Sequence, residues 1–168
     1  VDYDKALTVH QWIAAQTQKT PNNIAVEFGD EKQTYLELDL ASNRIANHLI
    51  TLGVQPGDCV GFCFDRSLHI MTSILGILKV GATYVPLDAS YPEGRIRYII
   101  EDASIRWVLT RGCIQPVLPT GDWQYVDVEK ELEAEEKCQN NELVLIEPDA
   151  ERLLYLIYTS GSTGRPKG

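Results

Sequence analysis

The sequence predicts an α/β fold in which a doubly wound, largely parallel sheet is flanked by helices. Three observations carry the prediction. Short apolar runs alternate with longer stretches of helical periodicity along the chain, the pattern of repeated βα units. Residues 59–87 read as strand, helix and strand with a short return, which implies a parallel pair joined by a right-handed crossover. The apolar run 153–158 stops abruptly at a loop of hydroxyls and glycines. Ligands of open α/β sheets gather at such a place, outside the carboxyl end of a strand.

The elements follow in order. Thr8-Val-His-Gln11 is a capping-box pattern that opens a helix, and Pro21 closes it. Residues 24–28 read as a strand with Gly29-Asp30 as its turn. A second capping box, Thr34-Tyr-Leu-Glu37, starts a longer helix with Leu38, Ala41, Ile45, Leu49 and Leu52 on its apolar face and Gly53 at C′. Thr34 and Glu37 would satisfy the orphan amides of that helix start, which makes the segment scaffold. The turn Pro56-Gly-Asp58 leads into an apolar strand at 59–64. Residues 67–79 carry Ile70, Met71, Ile74, Leu75, Ile77 and Leu78 at helical spacing, and 83–87 is the returning strand. Pro92 suits the first turn of the next helix, whose inward residues are Ile96, Ile99, Ile100 and Ala103. Strands are predicted at 107–110 and 124–127. The acidic stretch 129–137 reads as a solvated helix or loop, and 153–159 as a buried strand.

Composition narrows the function classes. The chain has 168 residues, 44 % of them hydrophobic, enough for the core of one domain. A net charge of −9 argues against nucleic acid or an anionic membrane as partner. No apolar run approaches the length of a membrane span, and no signal peptide opens the chain. Cys59, Cys63, Cys113 and Cys138 lack zinc-finger spacing. They read as buried free thiols of a cytoplasmic protein, and no metal site is expected. His10, His48 and His69 are scattered on helical patterns, and no nucleophile–histidine–acid arrangement accompanies them.

The segment Thr159-Ser-Gly-Ser-Thr-Gly-Arg-Pro-Lys-Gly168 carries the chemistry. Gly161 and Gly164 permit positive φ and close approach of the backbone to a ligand. Thr159, Ser160, Ser162 and Thr163 add hydroxyl donors to the backbone N–H groups, so the loop can wrap an anion. Lys167 adds a point charge suited to phosphate. Neither G-x-x-x-x-G-K-[ST] nor G-x-S-x-G is satisfied. A different phosphate loop is therefore indicated.

That string resembles the phosphate-loop signature of adenylate-forming enzymes, the group of acyl-CoA ligases, luciferases and nonribosomal peptide synthetase adenylation domains. Two further segments narrow the resemblance to the peptide-synthetase branch. Leu78-Lys-Val-Gly-Ala-Thr-Tyr-Val-Pro-Leu-Asp88, with Tyr91, Pro92 and Arg95, is similar to that branch's second core motif, and Thr34-Tyr-Leu-Glu-Leu38 to its first. Val80 and Leu154 stand where the family usually has alanine, and Gln33 where leucine is common. None of these touches the loop.

The resemblance implies that residues 1–168 form the N-terminal portion of an adenylation (AMP-binding) domain, part of the large subdomain. The amino-acid pocket, the ribose and Mg²⁺ ligands and the catalytic lysine would lie beyond Gly168. It implies ATP-dependent activation of an amino-acid substrate as aminoacyl-AMP, release of pyrophosphate, and transfer to the phosphopantetheine thiol of a peptidyl carrier domain. The ATP-binding residues would be Thr159, Ser160, Gly161, Ser162, Thr163, Gly164 and Lys167. The segment alone should be inactive. An acyl-CoA or fatty-acyl-AMP ligase is the alternative from the same superfamily, and a non-catalytic fragment that binds a partner through its unfinished sheet is a third. Asp88 and Arg95 read as a structural pair pinning the turn before a helix, and Tyr84 reads as core.

Overall fold

The computed structural model describes residues 7–135, 149, 151–160 and 166–168. Cys138, the end of the acidic stretch and Gly161, Ser162, Thr163 and Gly164 of the expected loop lie outside the described residues, as do the side chains of Ser160 and Lys167.

Helix α1 (Val9–Lys19) begins at Thr8, whose amide donates to Gln11 Oε1 at 2.8 Å. Strand β1 (Ile24–Phe28) turns at Gly29 and pairs antiparallel with β2 (Glu31–Thr34). The second strand was absent from the sequence reading because Glu-Lys-Gln-Thr has no apolar alternation to register as one. Helix α2 (Tyr35–Thr51) starts in the capping box expected: Glu37 N–H donates to Thr34 Oγ1 at 3.2 Å, and Thr34 N–H to Glu37 Oε2 at 2.8 Å. Gly53 follows at φ +88°, a left-handed position that favours glycine.

The main sheet consists of β3 (Cys59–Cys63), β4 (Thr83–Pro86), β5 (Trp107–Thr110) and β6 (Gln124–Asp127), in the order β4-β3-β5-β6 and parallel throughout. Helix α3 (His69–Lys79) links β3 to β4, α4 (Glu93–Asp102) links β4 to β5, and α5 (Val128–Glu135) follows β6. Pro92 is the N-cap of α4, one position outside the first turn assigned from sequence.

Strand alternation splits the core in two, because successive side chains point to opposite faces. Val60, Phe62, Trp107, Leu109 and Val126 pack with Ile45 and Leu49 of α2, Ile77 of α3 and Val128 of α5. Cys63, Val85 and Val108 pack on the other face with Ile96, Ile99 and Ile100 of α4. Helices therefore cover both faces, and the fold is the doubly wound sheet predicted.

The acidic stretch is not simply solvated. Val128 is fully buried and Leu132 packs against the core. Glu131 meets His48 Nδ1 at 3.0 Å, and Glu129 meets Arg111 at 2.7 Å and His69 Nε2 at 3.4 Å. The apolar pair docks the helix and turns its carboxylates toward Arg111, His48 and His69, which the sequence places far away.

A buried cation also went unnoticed in the sequence. Lys79 Nζ donates to Asp39 Oδ1 at 2.7 Å, Ser42 Oγ at 2.8 Å, Asn43 Oδ1 at 2.6 Å and Asp39 O at 3.1 Å, tying α3 to α2. Burial pulls its pKa down, while the Asp39 carboxylate pulls it back up.

Candidate functional site

The segment leading to the hydroxyl-rich loop departs from its sequence reading as a buried strand. It lies along the outer edge of β4. Tyr84 N–H donates to Leu154 O at 3.2 Å, and Leu156 N–H donates to Tyr84 O at 3.1 Å, a parallel bridge centred on Tyr155. Thr83 Oγ1 adds a bond to Leu153 O at 2.9 Å. Leu153, Tyr155 and Ile157 are 60 %, 48 % and 51 % exposed, whereas Leu156 packs on the α4-side core and Tyr158 is buried in it. Within these 168 residues the segment has one strand neighbour and one covered face, so the described residues leave Leu153, Tyr155 and Ile157 partly uncovered.

Parallel alignment carries the chain past the carboxyl end of β4 at Pro86. Two short strands follow, β7 (Thr159–Ser160) and β8 (Pro166–Lys167), paired antiparallel with Thr159 opposite Lys167 and Ser160 opposite Pro166. Of the seven residues expected to grip phosphate, the structure thus sets the backbones of Thr159, Ser160 and Lys167 in one hairpin, with Thr159 exposed. Pairing these arms holds both ends of the intervening sequence on the carboxyl side of the sheet, where α/β ligands are received. The donor chemistry (hydroxyls, amides and the two cations Arg165 and Lys167, with no carboxylate between Thr159 and Gly168) fits a polyphosphate.

The base of the hairpin is anchored through Tyr158, whose hydroxyl donates to Asp102 Oδ2 at 2.6 Å, while Tyr98 donates to Asp102 Oδ1 at 3.3 Å. Desolvation first, and then the Asp102 carboxylate, push the Tyr158 pKa far up, so the phenol stays a donor. Sequence reading missed this contact. Its only trace was a tyrosine at the end of an apolar run.

The expected Asp88–Arg95 contact is replaced by two separate arrangements. Asp88 Oδ1 accepts from Ser90 N–H at 2.8 Å, and Asp88 O from Tyr91 N–H at 3.0 Å, so the aspartate pins the turn by itself. The Ser90 bonds hold its carboxyl below the ordinary range, with the Arg95 charge a minor aid. Arg95 instead lies over the Tyr91 ring at 4.1 Å. Tyr84 packs on the core, its ring 6.0 Å from Phe62 and 5.8 Å from Tyr155.

Cys59, Cys63 and Cys113 are free thiols. Cys63 is buried, and burial drives its pKa to about 11; Cys113 is exposed, contrary to the expectation of burial. Among the described residues, no group of three or more His, Cys, Asp and Glu could hold a metal ion, and no helix is long and apolar enough to cross a membrane.

Comparison with known proteins agrees with this arrangement. The family described as AMP-binding enzyme matches residues 13–168. A linear gramicidin synthase of Brevibacillus parabrevis is 40 % identical over 168 residues, covering 100 % of this chain and 2 % of that protein. Gramicidin S synthase 2 of Brevibacillus brevis is 41 % identical over 160 residues, covering 95 % of this chain and 4 % of its own length. The chain thus spans a small part of the relatives it matches. A crystal structure of a nonribosomal peptide synthetase superposes with a TM-score of 0.84 at 29 % identity, covering 95 % of this chain and 17 % of that one. Its AMPPNP-bound form gives 0.83. The N-terminal subdomain of Klebsiella oxytoca NpsA gives 0.82 at 25 % identity, over 98 % of this chain and 41 % of that one.

Proposed function

This chain belongs to the AMP-binding enzyme family, in the part that corresponds to the N-terminal portion of a nonribosomal peptide synthetase adenylation domain, and from that premise we propose that it supplies the phosphate-binding loop for amino-acid activation. In the reaction, a carboxylate oxygen of the amino acid bonds to the α-phosphorus of ATP. The bond to the β-phosphate breaks, and pyrophosphate leaves with the electron pair. Thr159, Ser160, Ser162, Thr163 and the amides of Gly161 and Gly164 donate to the β- and γ-phosphates, with Lys167 as a mobile cation. Negative charge growing on the leaving group then meets donors already in place. Transfer of the aminoacyl group to the phosphopantetheine thiol of a carrier domain follows. The amino-acid pocket and the groups that hold Mg²⁺ are assigned to residues beyond Gly168, so the segment alone is inactive.

The observation that carries this reading is the pairing of β7 with β8, whose arms flank the Gly-Ser-Thr-Gly stretch in the sequence and lie past the carboxyl end of the sheet edge. The AMPPNP-bound relative supports ATP as the nucleotide. The peptide-synthetase relatives support an amino acid over a fatty acid, as does the likeness to VinN solved with 3-methylaspartate (TM-score 0.84, 25 % identity).

The test is ATP–pyrophosphate exchange by the complete domain. Lys167→Ala and Thr163→Ala should each slow exchange by about 10²-fold, the scale of losing one leaving-group donor, with the unfolding midpoint little changed. Wild-type rates in both variants would refute the assignment.

A further inference from the structure

The phosphate-loop reading leaves open what holds the hairpin in place, since its two arms are only two residues long. Hairpins this short do not persist on their own pairing. Two contacts, far apart in sequence, converge on one ring. Tyr158 directly precedes β7, is buried against the α4 side of the sheet, and is tied through its hydroxyl to Asp102 at the end of α4. Gly168 directly follows β8. A Cβ placed there would lie 2.9 Å from Tyr158 Cζ, 3.0 Å from Tyr158 Cε2 and 3.0 Å from Leu156 Cδ1. The outgoing arm is thus bonded covalently to the tyrosine, and the returning arm runs into Gly168, where a side chain would crowd the same ring.

We propose that Tyr158 and Asp102 are positioning residues for nucleotide binding: the Tyr158–Asp102 hydrogen bond fixes the ring from which β7 departs and beside which β8 ends. The Asp102 carboxylate is well suited to this. It accepts from Tyr158 on one oxygen and Tyr98 on the other, so its orientation is set from two sides. A charge-assisted bond of this kind is stronger than a neutral one. The proposal rests on the loop's role in gripping the β- and γ-phosphates, which the experiment tests separately.

The probes are AMPPNP and AMP, titrated calorimetrically into the complete adenylation domain. Only AMPPNP carries the phosphates assigned to the loop. Tyr158→Phe and Asp102→Ala should weaken AMPPNP by about five-fold, the range of one net hydrogen bond, and leave AMP affinity unchanged. Asp102→Asn keeps a neutral acceptor for the phenol and should restore part of the loss. Equal weakening of both nucleotides, or no weakening of either, would overturn the proposal. So would an Asp102→Asn variant as impaired as Asp102→Ala.

Lys167→Ala and Thr163→Ala run alongside separate the two ideas. Should they alter AMPPNP binding while Tyr158→Phe and Asp102→Ala do not, the positioning proposal fails and the loop reading stands. Amide hydrogen exchange across β7 and β8 reads positioning with no nucleotide present. Exchange should quicken in Tyr158→Phe and Asp102→Ala, and unchanged protection would overturn the proposal even if the loop reading also fell.

Discussion

Replacing Lys79 with methionine removes the donor at the centre of the α2–α3 contact. Its ammonium group has three protons and four acceptors within 3.1 Å, two of them Ser42 Oγ and Asn43 Oδ1. Methionine fills much of the same volume but donates nothing. Loss of the charge-assisted bond from Lys79 to Asn43 Oδ1 costs about 1.5–3 kcal/mol. Ser42 suffers less, since its hydroxyl still donates to Asp39 O at 3.0 Å. The Asp39 side chain is 23 % exposed and regains water, so the change stays below the roughly 3–5 kcal/mol of breaking a fully buried ion pair. Relief of the lysine's own desolvation works in the opposite direction. The balance is a net destabilisation of about 2–3 kcal/mol. Urea unfolding followed by circular dichroism should show the midpoint lowered by about 1 M, with an unchanged slope. A Lys79→Met shift below about 0.5 kcal/mol, the level of an ordinary surface substitution, would refute the reasoning.

Other perturbations test the packing, the thiols and the caps. Gly76→Ala would put a Cβ 2.7 Å from Ile45 Cγ2 and 2.9 Å from its Cβ; overpacking of about 1–3 kcal/mol outweighs a helix-propensity gain of about 1 kcal/mol. Gly94→Ala meets nothing within 4 Å and should raise the melting temperature slightly, so thermal melts of the pair check the argument by opposite signs. At neutral pH a maleimide should modify exposed Cys113 readily, and Cys63, with its pKa near 11, only on unfolding, as read by peptide mass mapping. Hydrogen bonds from Thr34 hold the Glu37 carboxyl below its ordinary 4.5. With the folded value below the unfolded one, that stabilisation is complete above 4.5 and is lost as pH falls through the lowered value. Glu37→Gln should therefore flatten the stability profile in that acid window, and an unaltered profile would show that Glu37 does not contribute there.

What could be read from the sequence depends on how far apart the interacting groups lie along the chain. Thr8 with Gln11 and Thr34 with Glu37 are three residues apart, a spacing at which helix geometry alone brings the groups together, and both caps formed as expected. Strands at 107–110 and 124–127 were legible as short runs with β-branched and aromatic residues, and the hydroxyl–glycine string was legible because its donors are consecutive. Other features depended on assembly. Lys79 finds its acceptors 36–40 residues away, Glu129 meets Arg111 across 18 residues, and Tyr158 reaches Asp102 across 56. Residues 153–158 show the difference most directly. Their composition announces burial, but the strand order β4-β3-β5-β6 leaves the outer side of β4 as the place they dock, so within these 168 residues Leu153, Tyr155 and Ile157 are only partly covered. Hydrophobicity sets which side chains favour burial; the neighbours that cover them are chosen only when the sheet is assembled.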